Sequence, residues 1–157
     1  MAIRVRLLGP GDEAILALLA EQEDDFDLQG RSEASEPLRP EASSAYLADG
    51  GVLHRVAEEG GRVVGFNLCY VLRRRSDAAR ELLLFEIGVR AEARRRGVGA
   101  ALILAMRTWM EEQDVPEAWV LADHPGAQLF YAACGFARDE EQGVQMLLTI
   151  PPRTRPR

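Results

Sequence analysis

The sequence predicts an α/β protein in which a mixed sheet carries helices on both faces. Strand-like and helix-like segments alternate in the order strand, helix, helix, three strands, helix, strand, helix, strand. Each segment has an apolar stripe, and helices on both faces of a sheet bury such stripes economically. The 157 residues, 47% of them hydrophobic, fit one domain. We place that domain at residues 1–150 and a frayed tail at 151–157.

The chain opens with a predicted strand and two predicted helices. Residues 3–8 alternate apolar and charged side chains, as a half-buried strand does. Asp12 follows a Gly-Pro-Gly break and can cap a helix with an apolar face. Residues 21–40 are acidic and then polar with two prolines, which predicts a loop with at most a helical turn. Residues 43–48 predict a short second helix.

Three consecutive strands are predicted in the middle of the chain. Residues 52–57 and 63–72 flank a Gly-Gly turn and predict an antiparallel hairpin. A polar break at 73–79 precedes the most apolar strand, ELLLFEIGV, at residues 81–89.

Helices and strands alternate in the last third. A helix after Gly97 would place on one face Val98, Leu102, Ala105, Met106 and Trp109. Residues 117–122 predict a strand, residues 126–134 a helix, and residues 144–150 a final strand.

Charge and composition exclude several classes of function. The net charge is −6, from 19 basic residues, all of them Arg, and 25 acidic residues. An acidic protein is a poor candidate for nucleic-acid binding and fits a cationic substrate better. No apolar run approaches the roughly 20 residues of a membrane span, and the N-terminus lacks a signal-peptide core, which predicts a cytoplasmic protein. Cys69 and Cys134 lack metal or redox spacing and are predicted as core thiols.

Arginine and glycine residues cluster where strand 81–89 leads into the next helix. The run RRRGVG at residues 94–99 would open that helix, whose N-terminal N–H groups can bind an anion. Gly97 and Gly99 let the backbone approach the anion without a Cβ, and the arginines add charge and forked donors. No Gly-Lys-Ser/Thr follows and position 102 is Leu, which excludes a P-loop and leaves a dinucleotide fingerprint incomplete. A glycine-rich helix start with solvated arginines is the alternative.

Two motifs resemble signatures of the GNAT superfamily of N-acetyltransferases. The R-x-x-G-x-G run at 94–99, after a strand that ends at Val89, resembles the acyl-coenzyme A loop of that family. The A-x-x-x-Y-x-x-x-G-F run at 127–136 resembles its later helix and turn. The resemblance covers nearly the whole chain. It implies a mostly antiparallel twisted sheet of six to seven strands, acetyl-coenzyme A as co-substrate and no metal.

The resemblance also implies which residues hold acetyl-coenzyme A. Backbone N–H groups of residues 95–100 would cradle the pyrophosphate. Ile87 and Val89 would pair with the pantetheine arm like an added strand, and the Val89 N–H would hold the developing oxyanion. His124 stands where the family often has Asn, and it cannot reproduce the donor–acceptor pair of a carboxamide. The predicted cofactor residues are Ile87, Gly88, Val89, Arg94, Arg95, Arg96, Gly97, Val98, Gly99, Ala100, His124 and Tyr131.

Two residues are predicted to move protons. By resemblance, Tyr131 is the general acid that protonates the departing coenzyme A thiolate, and an inward-packed core residue is the alternative. An amine arrives mostly protonated at neutral pH, so a base must take its proton. Glu86 lies among apolar residues of its strand, where burial would raise its pKa toward the working range of a base. Asp123 is the second candidate base, and His54 is interpreted as a strand residue.

The acceptor is predicted to be a polycationic amine. Residues 21–27, EQEDDFD, hold five carboxylates in a region that generally covers the acceptor pocket in GNAT proteins. A solvated acidic loop is the alternative. The stretches RRRGVGAALI, LFEIGV and VLAD…GAQLFYAACGF resemble gentamicin-type aminoglycoside 3-N-acetyltransferases, which have Asp where Glu86 stands. The predicted acceptor residues are Glu23, Asp24, Asp25, Glu86 and Asp123.

The resemblance implies a homodimeric enzyme of antibiotic resistance that acts on a small molecule, without a nucleic-acid or membrane partner. Transfer to another small amine or to a protein N-terminus is an alternative. A coenzyme-A-binding sensor without turnover is another, and the retention of Glu86 and Tyr131 argues against it. A nucleic-acid-binding module built on the Arg triplets is opposed by the net charge.

Overall fold

The computed structural model describes residues 2–26, 34–141 and 146–151. The chain divides into two compact units, Met1–Ala122 and Asp123–Arg157. The elements of the first unit are β1 (Arg4–Leu7), α1 (Glu13–Glu21), α2 (Glu23–Phe26), α3 (Pro40–Ala48), β2 (Val52–Glu59), β3 (Arg62–Arg73), β4 (Arg80–Val89), a 3-10 helix (Ala91–Ala93), α4 (Val98–Glu112) and β5 (Glu117–Trp119). The second unit contains α5 (Pro125–Ala133).

The sheet of the first unit has its strands in chain order, β1-β2-β3-β4-β5. The first four strands pair antiparallel, and β5 joins β4 in parallel after α4 crosses over. This mixed, mostly antiparallel sheet with helices confirms the predicted fold class. It has five strands among the described residues, fewer than the six to seven that we expected.

The missing strand is the one predicted at residues 144–150. Residues 146–150 form no strand, and their large apolar side chains are 75% to 89% exposed. Val144 and Gln145 lie outside the described residues. The prediction was wrong for 146–150 because alternation shows which face a strand would bury, whereas a strand also needs a partner edge. The predicted strand 117–122 likewise ends at Trp119.

Two helices begin at prolines, and one predicted cap is not made. α3 and α5 have Pro40 and Pro125 in their first turn, where the missing N–H costs nothing. Asp12 is the N-cap residue of α1 but makes no side-chain bond to that helix. Its carboxylate instead accepts from the Gly9 N–H at 2.9 Å and from Arg6 at 3.0 Å. Asp12 therefore fixes the turn before the helix.

Two apolar clusters cover the two faces of the sheet. One joins α1, α2 and α3 to the strands through Leu8, Leu16, Leu19, Phe26, Leu47, Val56 and Val63. The other lies under α4 and consists of Ala57, Val64, Ala93, Val98 and Leu102. Because Val56 and Ala57 are adjacent in β2 and belong to different clusters, the alternation of the strand assigns each helix group to its own face. We call them the α1–α3 face and the α4 face.

A buried arginine fastens α2 to the end of β4. Arg90 is 3% exposed, and its guanidinium donates to the Val63 carbonyl at 2.7 Å, to Asp25 at 3.0 Å and to Gln22. It also lies over the Phe26 ring, 4.4 Å from the ring centroid. The acidic segment after α1 is thereby held against the strand that carries Glu86.

Candidate active site

The loop before α4 has the backbone geometry of an anion seat. Gly97 has φ +83° and is the N-cap residue of α4, and Arg95 has φ +60°. Left-handed residues in such a turn aim successive N–H groups to one side, where the unpaired N–H groups of the helix end add to them. A Cβ at Gly97 would meet no atom within 4 Å. Gly97 is therefore required by its dihedral angle and not by lack of space.

The three arginines of this loop have different surroundings. Arg94 donates from Nε to the Val89 carbonyl at 3.0 Å, which ties the loop to the end of β4. Arg96 pairs with Glu59 of the β2–β3 hairpin. Arg95 is exposed and has no acidic partner among the residues that the structure describes. Its side chain is therefore available to an anion in solution.

β4 has an open edge next to this loop. β5 pairs with β4 only from Glu81 to Leu83, so no strand among the described residues pairs with the β5 side of the β4 residues that follow. The Arg90 N–H bonds to Val64 of β3 at 2.9 Å. By alternation, the backbone groups of Ile87 and Val89 point to the other side, toward the open edge. An extended ligand with amide groups can pair there as an added strand.

Gly88 lies between Ile87 and Val89, and its lack of a side chain leaves room for two phenylalanine side chains. A Cβ at Gly88 would lie 2.6 Å from the Phe66 ring and 2.9 Å from Phe26. The absence of a side chain therefore lets Phe26 of α2 close onto the sheet.

Glu86 projects from the α1–α3 face beside a β-bulge. Leu68 of β3 pairs with Glu86 and Cys69 pairs with Leu84, so Phe85 is the extra residue of the bulge. Bulges next to active sites re-aim side chains. The Glu86 side chain is exposed, which corrects the expectation that its apolar neighbours bury it, because Leu82 and Leu84 point into the core instead. Partial desolvation and the charge of Glu23 nevertheless raise the pKa of Glu86 above its ordinary value.

Further polar groups lie near Glu86 on this face. Desolvation raises the pKa of both Tyr46 and Tyr70, and the charge of Glu86 raises both further; for Tyr46 the neighbouring Tyr70 has a larger effect than Glu86. Tyr46 comes from α3 and Tyr70 from β3. Sequence patterns do not single out either tyrosine, because only the tertiary contacts bring α3 and β3 to the same carboxylate. The Tyr70 ring packs on Phe85 at 5.5 Å between centroids.

The acidic segment divides into residues with different partners. Glu23 is half-buried, influences Glu86 and accepts from the Ser35 hydroxyl at 2.9 Å. Asp24 is exposed, and Asp25 pairs with Arg90. Asp27 lies outside the described residues. Of the predicted acceptor carboxylates in this segment, Glu23 is the one that the structure links to Glu86.

The second unit contains three of the predicted residues. His124 is the N-cap of α5, and its Nδ1 accepts from the Ala127 N–H at 3.1 Å, so a neutral ring keeps its proton on Nε2. Tyr131 is 8% exposed and packs against Phe130 and Phe136. Asp123 is exposed.

Other kinds of site find no support in the part of the chain that the structure describes. It contains no group of three or more His, Cys, Asp or Glu residues able to hold a metal ion. Both cysteines are free, and Cys69 is buried. None of the described helices has the length and apolar character to span a bilayer.

The loop and the open edge fit the two parts of an acyl-coenzyme A. A pyrophosphate needs converging N–H donors and positive charge, which the turn at Gly97 and Arg95 supplies. A pantetheine arm carries amide groups, which can pair with the backbone groups of Ile87 and with the Val89 N–H, while the Val89 carbonyl already accepts from Arg94. The residues present therefore fit this group.

Solved structures of other proteins share the fold of this chain. An aminoglycoside acetyltransferase, meta-AAC0020, from an uncultured soil metagenomic sample has a TM-score of 0.81 to this chain at 21% identity in its trehalose complex. Its sisomicin complex has a TM-score of 0.80 at 22% identity, and each comparison covers 95% of this chain and 97% of that one. A ribosomal-protein-alanine N-acetyltransferase from Brucella melitensis biovar Abortus 2308 has a TM-score of 0.70 at 21% identity, covering 93% and 99% of the chains. At these identities the similarity shows a shared fold.

A search of curated protein sequences gave no match. The model of the Acetyltransferase (GNAT) family matches residues 15–136, which include β2 to β5, the glycine loop and the helix with Tyr131. The chain therefore belongs to the GNAT family of acetyltransferases.

Proposed function

We propose that this protein transfers an acetyl group from acetyl-coenzyme A to a primary amine of a polycationic small molecule such as an aminoglycoside. The observation that carries the proposal is the position of the left-handed Gly97 loop beside the open edge of β4. The first supplies donors for a pyrophosphate, and the second supplies a backbone edge for the arm that leads to the thioester. Glu86 lies on the same strand as that edge.

In the proposed reaction, a backbone N–H and a side chain of β4 have separate roles. Acetyl-coenzyme A supplies the activated acetyl group. The Val89 N–H, directed to the open edge, donates to the carbonyl oxygen and stabilises the negative charge that develops there. Glu86 removes a proton from the acceptor ammonium, directly or through water, and its raised pKa brings it closer to the pH at which an amine must be deprotonated.

Tyr131 is the proposed general acid. By its place in the family pattern, its hydroxyl protonates the departing thiolate of coenzyme A. Asp123 is the alternative to Glu86 as base. His124 keeps one N–H on Nε2 after capping α5, so we propose that it donates to the coenzyme where the family often has the amide of Asn.

The polycationic acceptor is supported by charge. The chain has a net charge of −6, and Glu23 lies close enough to Glu86 to affect its pKa. Two carboxylates near each other favour a ligand with more than one ammonium group. The similar soil protein is described as an aminoglycoside acetyltransferase and was crystallised with sisomicin.

The test is an assay of coenzyme A thiol release. Purified protein is given acetyl-coenzyme A with gentamicin, sisomicin, spermidine or a neutral peptide with a free N-terminus. We expect thiol release with the polycations. Their KM should rise with salt, because ions screen the attraction between exposed charges over a Debye length of about 10 Å at 0.1 M. Preference for the peptide, insensitive to salt, would contradict the acceptor. Absence of both coenzyme binding and thiol release would contradict the enzyme itself.

A further inference from the structure

A histidine and a tyrosine form a hydrogen-bonded pair on the α1–α3 face. His54 of β2 is 7% exposed, and its Nδ1 lies 3.0 Å from the Tyr46 hydroxyl of α3. The His54 ring contacts the rings of Tyr46 and Phe66, with centroids 6.0 Å and 5.6 Å away. Burial lowers the pKa of His54 to about 4, so the ring is neutral at physiological pH. The pair is thus a neutral hydrogen bond held in an apolar setting.

The other nitrogen of His54 determines the direction of this bond. Nε2 is buried and has no hydrogen-bond partner in the part of the chain that the structure describes. An orphaned buried N–H is rarer in proteins than an under-used acceptor. The tautomer with the proton on Nδ1 leaves only a lone pair unsatisfied at Nε2. In that tautomer Nδ1–H donates to the Tyr46 oxygen, and the Tyr46 O–H must point elsewhere.

The sheet register places this pair on the same face of the sheet as the candidate base. His54 pairs with Leu68, and Leu68 pairs with Glu86, so His54 and Glu86 project from the same face. They lie two strands apart, about 10 Å at the usual strand spacing. Tyr46 reaches this face from α3 and is sensitive to the charge of Glu86. The Tyr46 hydroxyl is therefore hydrogen-bonded to a neutral ring and lies within the electrostatic influence of Tyr70 and Glu86.

We propose that His54 fixes the Tyr46 hydroxyl so that its O–H is directed toward Glu86, which makes Tyr46 a positioning residue for the base. This inference rests on the proposed function, in which Glu86 takes the proton of the acceptor. A hydroxyl that donates to a carboxylate, directly or through one water, favours the ionised form. Desolvation and Glu23 raise the pKa of Glu86, whereas a donated hydrogen bond from Tyr46 lowers it. Glu86 then stays ionised to lower pH.

The other groups that face Glu86 provide the comparison. Glu23 of α2 acts in the opposite direction, because its charge raises the pKa of Glu86. Tyr70 of β3 is a second phenol near Glu86, and its ring packs on Phe85. No hydrogen bond to a histidine fixes the Tyr70 hydroxyl among the described residues. Tyr70→Phe is therefore a matched control for Tyr46→Phe.

The experiment measures the titration of the Glu86 carboxyl by carbon-13 NMR and does not need turnover. We expect Tyr46→Phe to raise the pKa of Glu86 by about one unit, because the charged form loses a donor. His54→Phe should raise it in the same direction, and Tyr70→Phe should have a smaller effect. In the active enzyme the acid limb of kcat/KM should move to higher pH in Tyr46→Phe, with kcat at the plateau retained.

A second measurement tests the direction of the bond in the unmodified protein. The chain has two histidines, so nitrogen-15 spectra with a His124→Asn variant identify the His54 ring. We expect a neutral ring with its proton on Nδ1. A proton on Nε2, or an unchanged Glu86 titration in a folded Tyr46→Phe protein, would overturn the inference. If Tyr46→Phe does not fold, the His54 tautomer tests the inference: a proton on Nδ1 supports it, and a proton on Nε2 overturns it.

Failure of the proposed function would have a different signature. An inactive wild-type protein that does not bind acetyl-coenzyme A would remove the enzyme assignment, while the Glu86 titration and the His54 tautomer would still be measured.

Discussion

The glycine loop before α4 and the surface around Glu86 use different parts of the chain for recognition. The loop is contiguous, and its key property is a backbone angle, φ +83° at Gly97, to which the exposed Arg95 side chain adds positive charge. The surface around Glu86 combines side chains of β2, β3, β4, α2 and α3, which are far apart in sequence. A change of the backbone angle at Gly97 should therefore affect the loop more than the loss of one exposed loop side chain. On the Glu86 surface, single polar atoms should decide activity.

The largest effect should come from Glu86→Gln, which removes the proposed base and retains the shape of the side chain. We expect kcat/KM to fall by about a hundredfold or more at the acid end of the profile, where the amine is protonated. The deficit should shrink as pH rises, because free amine then forms without a base. Glu81→Gln, the same change on the same strand, is the control in the thiol-release assay. Equal loss at all pH values would indicate that Glu86 binds the acceptor rather than accepting its proton.

The loop side of the comparison is tested by two glycines with similar backbone angles. Gly97 and Gly61 have φ +83° and +78°, and a Cβ at either would meet nothing within 4 Å. Gly97→Val and Gly61→Val should both lose stability, by roughly 1–2 kcal/mol for the left-handed strain. Only Gly97→Val should also raise the Kd for coenzyme A, by at least about tenfold or 1.4 kcal/mol.

Calorimetric titration of coenzyme A against both folded variants makes this measurement. If the two valine variants bind the coenzyme equally well, the anion seat is not at Gly97.

A smaller effect is expected for the acidic segment. Glu23→Gln with Asp24→Asn should raise the acceptor KM by about threefold at low salt and leave coenzyme affinity unchanged, because exposed charges interact weakly and are screened. Asp25→Asn is the matched comparison, since its carboxylate pairs with Arg90. It should lower the free energy of unfolding and have less effect on KM. A KM that does not respond to salt in the wild type would argue against acceptor binding by this segment.

The smallest effect concerns the cap of α5, where a side chain serves a backbone N–H. His124→Ala should lower the free energy of unfolding by about 1 kcal/mol, because the Ala127 N–H loses its acceptor. His124→Asn should preserve the cap. Urea unfolding of the two variants provides the measurement, and equal stability of the alanine and asparagine variants would rule out a capping role.

Local patterns were sufficient to predict much of this molecule. The β2–β3 hairpin, the strand with Glu86, the helix after Gly97 and the helix with Tyr131 all lie within a few residues of their predicted bounds. These predictions succeed because periodicity, turn glycines and helix starts are determined by neighbouring residues. The strand predicted at 144–150 was wrong at 146–150, because pairing requires a partner that the strand's own residues do not specify.

The sequence by itself determined the fold class, the family motifs and the loop at Gly97, whose information lies in short runs of residues. Only the tertiary structure decided that Glu86 is exposed beside a bulge, that Asp25 is engaged by Arg90, and that Asp12 holds a turn. It also brought Tyr46 and His54 together on the face of Glu86, although sequence patterns had marked His54 only as a strand residue. The physical reason is that hydrogen bonds and desolvation depend on distances between atoms of different elements, and the packing of the sheet and helices sets those distances.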